Sequence, residues 1–545
     1  MDKQILIIFP RFDPRGNLVP YNANSTDKVY NYLMPVGMAY ISSLLKHAGY
    51  AVDVLNLNHI EGLVKDILKV KLADNKYKIV YTGGLSMIYP NIRDIVSYVR
   101  EYSPDTKIVV GGGIISAQPE LMFNLIKPDI GVMFEGEITC RELADKIING
   151  EPTNNVAGII YKDGDKIITT MSRAPIENLD LLPYPDWEGF GIGEYLDNQK
   201  PDLDCYDSID NPRSYSIIGS RSCVFNCSFC FHTIGRKYRQ RSLDNIMEEI
   251  KWAVETYRVN HFDFLDELFA YDKQRALEFL RRFREFRKTV PYEVRLFFNI
   301  RSDYIDAEII NAVRECGFVV IGLGLESMNQ CVLDSMKKHM KKEQTEHCLT
   351  LIALNKLNIL GTYIFGDPAE TLESAKETID FYVNRQDILR GGSRLAFIIP
   401  FAGSEVYKRA VEKGIIDEME FINNLEKNGY DFFNPINMTG LNDTDFEKLK
   451  DMVFTAEYRA KKYSVPDCIH NNEIFLKCPH CHEKIQFKNV NAPQGVGTVN
   501  VICRNDNCRA RFFIVTSWYK YLCSAIKLLG YNKVVKLKKK YGRRV

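Results

Sequence analysis

The chain opens on an apolar run at residues 4–9, and the rhythm it sets returns. Apolar stretches of strand length at 52–57, 79–82 and 107–110 alternate with helical spacing at 37–48 and 92–101. Continuous apolar strands between amphipathic helices predict a parallel sheet covered on both faces, here a doubly wound, Rossmann-like α/β unit over residues 1–150. Ligands of such sheets sit beyond the carboxyl ends of the strands. The loops there hold Ser86, the run Gly111-Gly112-Gly113, and Glu135-Gly136-Glu137. Glycine lets a backbone approach a ligand closely, although a glycine-rich loop is equally an ordinary tight turn.

Residues 174–213, inside a connector spanning 151–213, are rich in Pro, Asp, Tyr and Gly and read as an ordered link rather than sheet interior. A second α/β rhythm follows, with strands expected at 215–219, 261–265, 296–300, 319–323, 360–365 and 395–399 and helices such as 246–256 and 273–288. Six strand-plus-helix units do not close an eight-unit barrel, so residues 214–410 are expected to form a partial (β/α)6 barrel. Residues 411–471 read as helical, 472–515 as a small β unit around four cysteines, and 516–545 as an amphipathic helix with a basic tail.

Composition narrows the class. A chain of 545 residues that is 46% hydrophobic and 26% charged has material for several packed cores and is not a disordered or collagen-like polymer. No apolar run is long enough to span a bilayer, which makes the cytoplasm the expected compartment and the fourteen cysteines free thiols rather than a disulfide framework. The net charge of +1 hides an asymmetry: 11 Lys and Arg and no Asp or Glu follow Cys508. Contact with an anionic membrane or a nucleic acid, and with it a membrane-peripheral location, is therefore a question for the tail, where Trp518, Leu522, Ile526 and Leu529 fall on one helical face. The plainer alternative packs that helix on the cysteine unit, since the tail lacks interleaved aromatics for base stacking.

Cys223, Cys227 and Cys230 form a C-x3-C-x2-C run just after a predicted strand. Three thiolates suit an iron–sulfur cluster with one iron left open, whereas a closed zinc site needs a fourth ligand, for which His232 is the candidate. With Phe229 before the last cysteine, the run resembles that of the radical S-adenosylmethionine (radical SAM) superfamily. The resemblance implies a 4Fe-4S cluster that chelates SAM and, given one electron from a reductant such as flavodoxin or ferredoxin, cleaves it to a 5′-deoxyadenosyl radical. It extends to Asp266 and Glu267 as a segment holding the SAM amino group partly through backbone, to Arg301, and to Glu326 and Ser327 in the G-x-G-x-E-S run. It extends further to the glycine-containing strand at 361–366 and to the segment 400–403. Arg301 or Glu326 alone also fits an ordinary buried ion pair.

The first unit is similar to the cobalamin (B12)-binding domains of a subset of these enzymes, through Pro35-Val36-Gly37, Gly49, Gly111-Gly112-Gly113 and Glu135-Gly136-Glu137. The D-x-H-x-x-G signature is absent where PRFDPRG stands after the first strand, so histidine ligation of cobalt is not expected, and His59 reads as a solvated loop residue. A domain that only binds substrate or acts as scaffold is the rival reading. Cys478, Cys481, Cys503 and Cys508 form two cysteine knuckles that suit structural Zn2+, as in a zinc ribbon, with His480 and His482 flanking. The resulting expectation is a cobalamin-dependent radical SAM enzyme that methylates an unactivated carbon of a small-molecule or lipid-linked biosynthetic intermediate. A radical cyclase or rearrangement enzyme, of the group that includes the anaerobic magnesium-protoporphyrin IX monomethyl ester cyclase, is the alternative. From a different class, a corrinoid- or nucleic-acid-binding module with a degenerate cluster site fits the same motifs.

Overall fold

Five consecutive buried residues in the first strand, β1 (Ile5–Phe9), set the architecture of the amino-terminal half, because a strand apolar on both faces must be covered on both. The computed structural model describes residues 4–11, 33–73, 76–199, 209–269, 271–429, 434–470, 473–490 and 498–535. Most of the PRFDPRG run lies outside them. β1 pairs in parallel with β2 (Val52–Asn56) and with β3 (Ile79–Gly83), and β4 (Lys107–Gly111) and β5 (Ile130–Val132) continue the parallel order. Two further strands, β6 (Ile159–Asp163) and β7 (Lys166–Thr169), add an antiparallel hairpin, completing a seven-stranded sheet of order β2-β1-β3-β4-β5-β6-β7. The sheet thus runs past residue 150 into the segment expected to be connector. A Gly-Asp turn between two β-branched runs was the signal for it.

The second half places β8 (Ser214–Ile217) at the start, followed by a short antiparallel ribbon of β9 (Ser220–Arg221) and β10 (Arg239–Gln240). The strands β11 (His261–Phe264), β12 (Arg295–Phe297), β13 (Asn299–Ile300), β14 (Val320–Glu326), β15 (Asn358–Phe365) and β16 (Ser393–Phe397) complete two parallel sheets, β12-β11-β8 and β13-β14-β15-β16. The expected third strand is split at Phe298, and the six strand positions otherwise fall where the apolar runs lie. Helix starts are written in the sequence: Ser242, Asp272, Asp306, Thr371 and Ser404 each cap a helix by accepting from an amide of its first turn.

The connector is part of the core. Trp187 and Phe190 are fully buried; the indole meets Tyr215 edge-on at 5.7 Å, Phe190 meets Phe9 at 6.4 Å, and Asn56 donates to the Phe190 carbonyl. One continuous apolar core therefore includes residues from both halves of the chain. His59 is also buried there rather than solvated, its side chain 8% exposed with Nδ1 3.6 Å from Glu194, because the connector helix Ile192–Asp197 covers its loop.

The carboxyl-terminal strands β17 (Tyr463–Ser464), β18 (Cys468–His470), β19 (Glu473–Lys477), β20 (Lys484–Lys488), β21 (Thr498–Ile502) and β22 (Arg511–Val515) form two small sheets. They dock at the amino-terminal ends of the barrel strands: the Arg511 amide donates to the Arg390 carbonyl and Asn358 donates to the Arg509 carbonyl. The helix Ser517–Leu529 packs along Asp443–Ala460 through Cys523 and Ile526, while Trp518 and Leu529 stay exposed. The stripe expected on one face is therefore split between a buried and an open side. Among the described residues no helix is long and apolar enough to cross a membrane.

Replacing Trp187 by Ala removes the indole that joins connector and barrel and should cost about 3–5 kcal/mol. Urea unfolding followed by circular dichroism checks this; an unchanged midpoint would contradict the packing described.

Candidate active site at the facing strand ends

The parallel strands of the first domain and those of the barrel direct their carboxyl ends at the same region. Gly112, with φ 88°, and Gly113 follow β4, and a β-carbon at Gly113 would lie 2.7 Å from Leu85 and 3.0 Å from Thr233 of the cysteine loop. The glycine loop of the first domain thus packs directly on the loop that carries Cys223, Cys227 and Cys230. Gly111 has room for a side chain, and Ser86 opens a short 3-10 turn after β3, partly exposed. At the junction the loops leave Leu85, Phe134, Ile138, Val224 and Phe401 exposed, and the Thr82 hydroxyl at the end of β3 is buried without a partner among the described residues.

The cysteine loop is held from the barrel side. Ser228 donates its amide to the Met336 carbonyl, Cys230 donates its amide to the Cys227 carbonyl, and Arg301 lies 3.7 Å over the Phe225 ring. Arg301 also forms a fork with Asp303 and donates to the Lys338 carbonyl, so its guanidinium is committed to protein. Glu326 stands at a register shift in β14 with φ 57°, a left-handed conformation that a glutamate rarely adopts, and accepts from Lys338 Nζ at 2.5 Å. Both are buried. Burial pulls the Lys338 ammonium down, but Glu326 outweighs it and the ammonium stays raised above its ordinary value. The Cys230 thiol, hydrogen-bonded to Cys227, lowers Cys227 to about 6, and Lys338 acts in the same sense against burial.

Several expected contacts are thus occupied by protein. Asp266 accepts from the Gly219 amide at 2.7 Å and the Ser220 hydroxyl at 2.6 Å, and burial pushes its carboxyl up to about 7. Its side chain ties the end of β8 to the segment after β11. Glu267 binds His232 Nδ1 at 2.5 Å. Ser327 shares a hydrogen bond with Thr378 and accepts from the Asn329 amide. Glu135 and Glu137, expected to face cobalamin, are buried against Arg221 and Arg239 of the ribbon that brackets the cysteine loop. Burial would raise the Glu135 carboxyl, yet Arg221, the Ile176 amide and Arg239 hold it below its ordinary value.

Lys338, Arg221 and Arg239 carried no motif that sequence reading used, and neither did Asp367 and Glu370, two buried carboxyls after β15. Arg221, two residues ahead of Cys223, had the one available signal, a cation beside a cysteine run.

Among the described residues, the only set of three or more Cys, His, Asp or Glu with ligand atoms all within 4.8 Å of one another is Cys478, Cys481, Cys503 and Cys508. Cys223, Cys227, Cys230 and His232 are not such a set. At the carboxyl-terminal site the sulfur pairs Cys478–Cys508 and Cys481–Cys503 are 3.9 Å and 3.7 Å apart. His480 Nε2 lies 3.1 Å from the Arg511 carbonyl, outside the cage, and His482 is exposed.

Substituting Lys338 by Met leaves the Glu326 carboxylate buried and unpaired and should cost about 3–5 kcal/mol. Adding Glu326→Gln should restore much of that loss in chemical unfolding; a double variant no more stable than K338M would contradict the pairing.

With this geometry in place, comparison with known proteins is specific. The Radical SAM superfamily model matches residues 217–382, and the B12 binding domain model matches residues 25–144. An uncharacterized methyltransferase of Pyrococcus horikoshii is 23% identical over 452 residues, covering 81% of this chain and 92% of that protein. The anaerobic magnesium-protoporphyrin IX monomethyl ester cyclase of Rubrivivax gelatinosus is 26% identical over 402 residues, covering 71% and 68%. The fold is similar to that of the radical S-adenosylmethionine methyltransferase TsrM from Kitasatospora setae, solved with cobalamin and a 4Fe-4S cluster, with TM-score 0.59, 18% identity and coverage of 75% and 78%. Two domains in this order, with a three-cysteine loop between their facing strand ends, place the chain in the family of cobalamin-dependent radical SAM enzymes.

Proposed function

We propose that the chain is a methyltransferase that transfers a methyl group from SAM, by way of cobalamin, to an unactivated carbon of a small-molecule or lipid-linked biosynthetic intermediate. The observation that carries this reading is the packing of the Gly113 loop on Thr233 of the cysteine loop, which brings the expected cofactor face of one domain against that of the other. Cys223, Cys227 and Cys230 would hold the cluster, and Lys338, which acts on Cys227 in the sense that favours its thiolate, would offset the negative charge there. The first domain would hold cobalamin: exposed Leu85, Phe134 and Ile138 suit a broad apolar macrocycle, and the buried Thr82 hydroxyl suits a polar atom of its tail. Bound there, the cofactors supply radical generation and methyl transfer. The chain's own residues orient them and exclude water.

SAM would lie over the cluster loop near the backbone of Asp266 and Glu267, with Arg301, Glu326 and Ser327 shaping the pocket indirectly through the pairs described above. Ser86, Gly111, Gly112 and Gly113 remain with the cobalamin face, whereas Glu135 and Glu137 act on the cysteine loop. An external electron donor of the flavodoxin or ferredoxin class is required to start the reaction. A ring-forming reaction is the second reading, favoured by the similarity to the cyclase of Rubrivivax gelatinosus. Product mass separates the two, as methyl transfer adds one methylene.

At the carboxyl-terminal site, Zn–S bonds of about 2.3 Å in a tetrahedron require sulfur–sulfur edges of about 3.8 Å. Edges of 3.9 Å and 3.7 Å fit a closed structural Zn2+ in a zinc-ribbon-like unit. The unit's place at the far end of the barrel supports a structural role, and tail contact with an anionic membrane or nucleic acid stays a separate matter.

Reconstituted anaerobically with iron, sulfide, SAM and a low-potential reductant, the chain should form 5′-deoxyadenosine, and Cys227→Ala should lower that yield by about a hundredfold or more. Equal yields from both would refute the enzyme reading. Chelation of the purified chain should release one equivalent of zinc and lower the unfolding temperature of the carboxyl-terminal unit; a chain that holds no zinc when expressed in zinc-containing medium would contradict this part.

A further inference from the structure

The ribbon β9–β10 pairs Arg221 directly with Arg239, and directly opposed residues of an antiparallel pair put their side chains on the same face. Both reach the turn Glu135-Gly136-Glu137 of the first domain. Arg221 divides its terminal nitrogens, donating to Glu135 at 2.8 Å and to Glu137 at 2.5 Å, and Arg239 donates to both oxygens of Glu135 at 2.8 Å. Tyr40, on the first domain's helix Val36–His47, lies beneath the Arg221 guanidinium at 5.4 Å. All four charged side chains are between 4% and 7% exposed, so this is a neutral set of two cations and two anions sealed inside the junction.

The ribbon also brackets the loop of all three cluster cysteines. Arg221 is two residues from Cys223, Ser222 between them turns through φ 68°, and the loop returns to Arg239. The apolar core is already continuous across the two domains, so adhesion does not depend on the ions. A planar fork divided between two carboxylates adds orientation, since each hydrogen bond fails if the domains shift.

We propose that Glu135, Glu137, Arg221 and Arg239 are a positioning clamp that fixes the cofactor face of the first domain relative to Cys223, Cys227 and Cys230, and so sets the efficiency of methyl transfer between domains without touching either cofactor. The proposal rests on the function proposed above. Reductive cleavage of SAM to methionine and 5′-deoxyadenosine would need the cluster, SAM, one electron from the reductant and a hydrogen atom taken up by the deoxyadenosyl carbon, but not the first domain. Methyl transfer from SAM to a cobalamin held by the first domain, which would release S-adenosylhomocysteine, would need both domains in register.

The test uses the full chain with Arg221→Lys, which keeps the charge and loses the fork, and with Glu137→Gln. The first readout is hydrogen–deuterium exchange on protein without added cofactors. Exchange should rise at 134–137 and 220–222 in both variants while β1, β3, β14 and β15 keep their protection. The second uses protein reconstituted with iron, sulfide, cobalamin, SAM and titanium(III) citrate. In R221K, iron content and 5′-deoxyadenosine should stay within about twofold of the parent while S-adenosylhomocysteine falls about tenfold or more. Parent-like exchange together with an unchanged product ratio would overturn the clamp, as would loss of cobalamin retention at an unchanged ratio, which would make these residues cofactor contacts. Should E137Q fail to fold, R221K decides alone. A parent that forms neither product would refute the proposed function, and hydrogen exchange would still judge the clamp.

Discussion

The arrangement depends on one constraint: charge buried between two domains must be neutralised there or not be there at all. Arg221, Arg239, Glu135 and Glu137 meet it together, with every carboxylate matched to a guanidinium. Breaking one partner of such a buried set typically costs about 3–5 kcal/mol, because the other is left desolvated and alone. A second buried pair, Lys338 with Glu326, meets the same constraint on the barrel side of the cysteine loop. The loop is thus bracketed by paired ions, and Lys338 and Arg301 act on Cys227 from the barrel side.

The parallel strands of both domains make this meeting possible. Parallel strands connected by helices leave their carboxyl-end loops on one edge, where ligands bind. Here the loop after β4 opposes the cysteine loop after β9, where a β-carbon at Gly113 would lie 3.0 Å from Thr233 and 3.7 Å from Phe231, and the loop after β16 closes on the same Phe231 from within the barrel. The connector holds this apposition through Trp187 and Phe190, which enter the shared core instead of spanning open solvent. At the opposite end of the barrel, the four-cysteine unit covers the amino-terminal ends of the strands, a place suited to stability rather than chemistry.

Much of the fold was legible because its signals are local. Apolar runs located the parallel strands, and Ser242, Asp272 and Thr371 marked helix starts by the hydrogen bonds they accept. The spacing of Cys478, Cys481, Cys503 and Cys508 likewise announced the four-thiol set that the fold assembles. What escaped was set by partners distant in sequence. Asp266 looked like a ligand residue, but its carboxylate is taken by Gly219 and Ser220, about one strand and helix away. Glu135 and Glu137 were read as facing a cofactor because their loop follows a strand, and only the approach of Arg221 gives them another task. His59 was read as solvated because nothing local announced the connector helix that covers it.

The proposed reaction requires one chain to hold an iron–sulfur cluster with an open iron in the same site as a corrinoid. Electron paramagnetic resonance of the anaerobically reconstituted, reduced protein, recorded before and after adding SAM, tests it most directly. Cob(II)alamin retained through gel filtration and a reduced cluster should give signals in the same sample, and SAM should change the cluster signal. A cluster signal indifferent to SAM, or protein that retains no corrinoid, would contradict it.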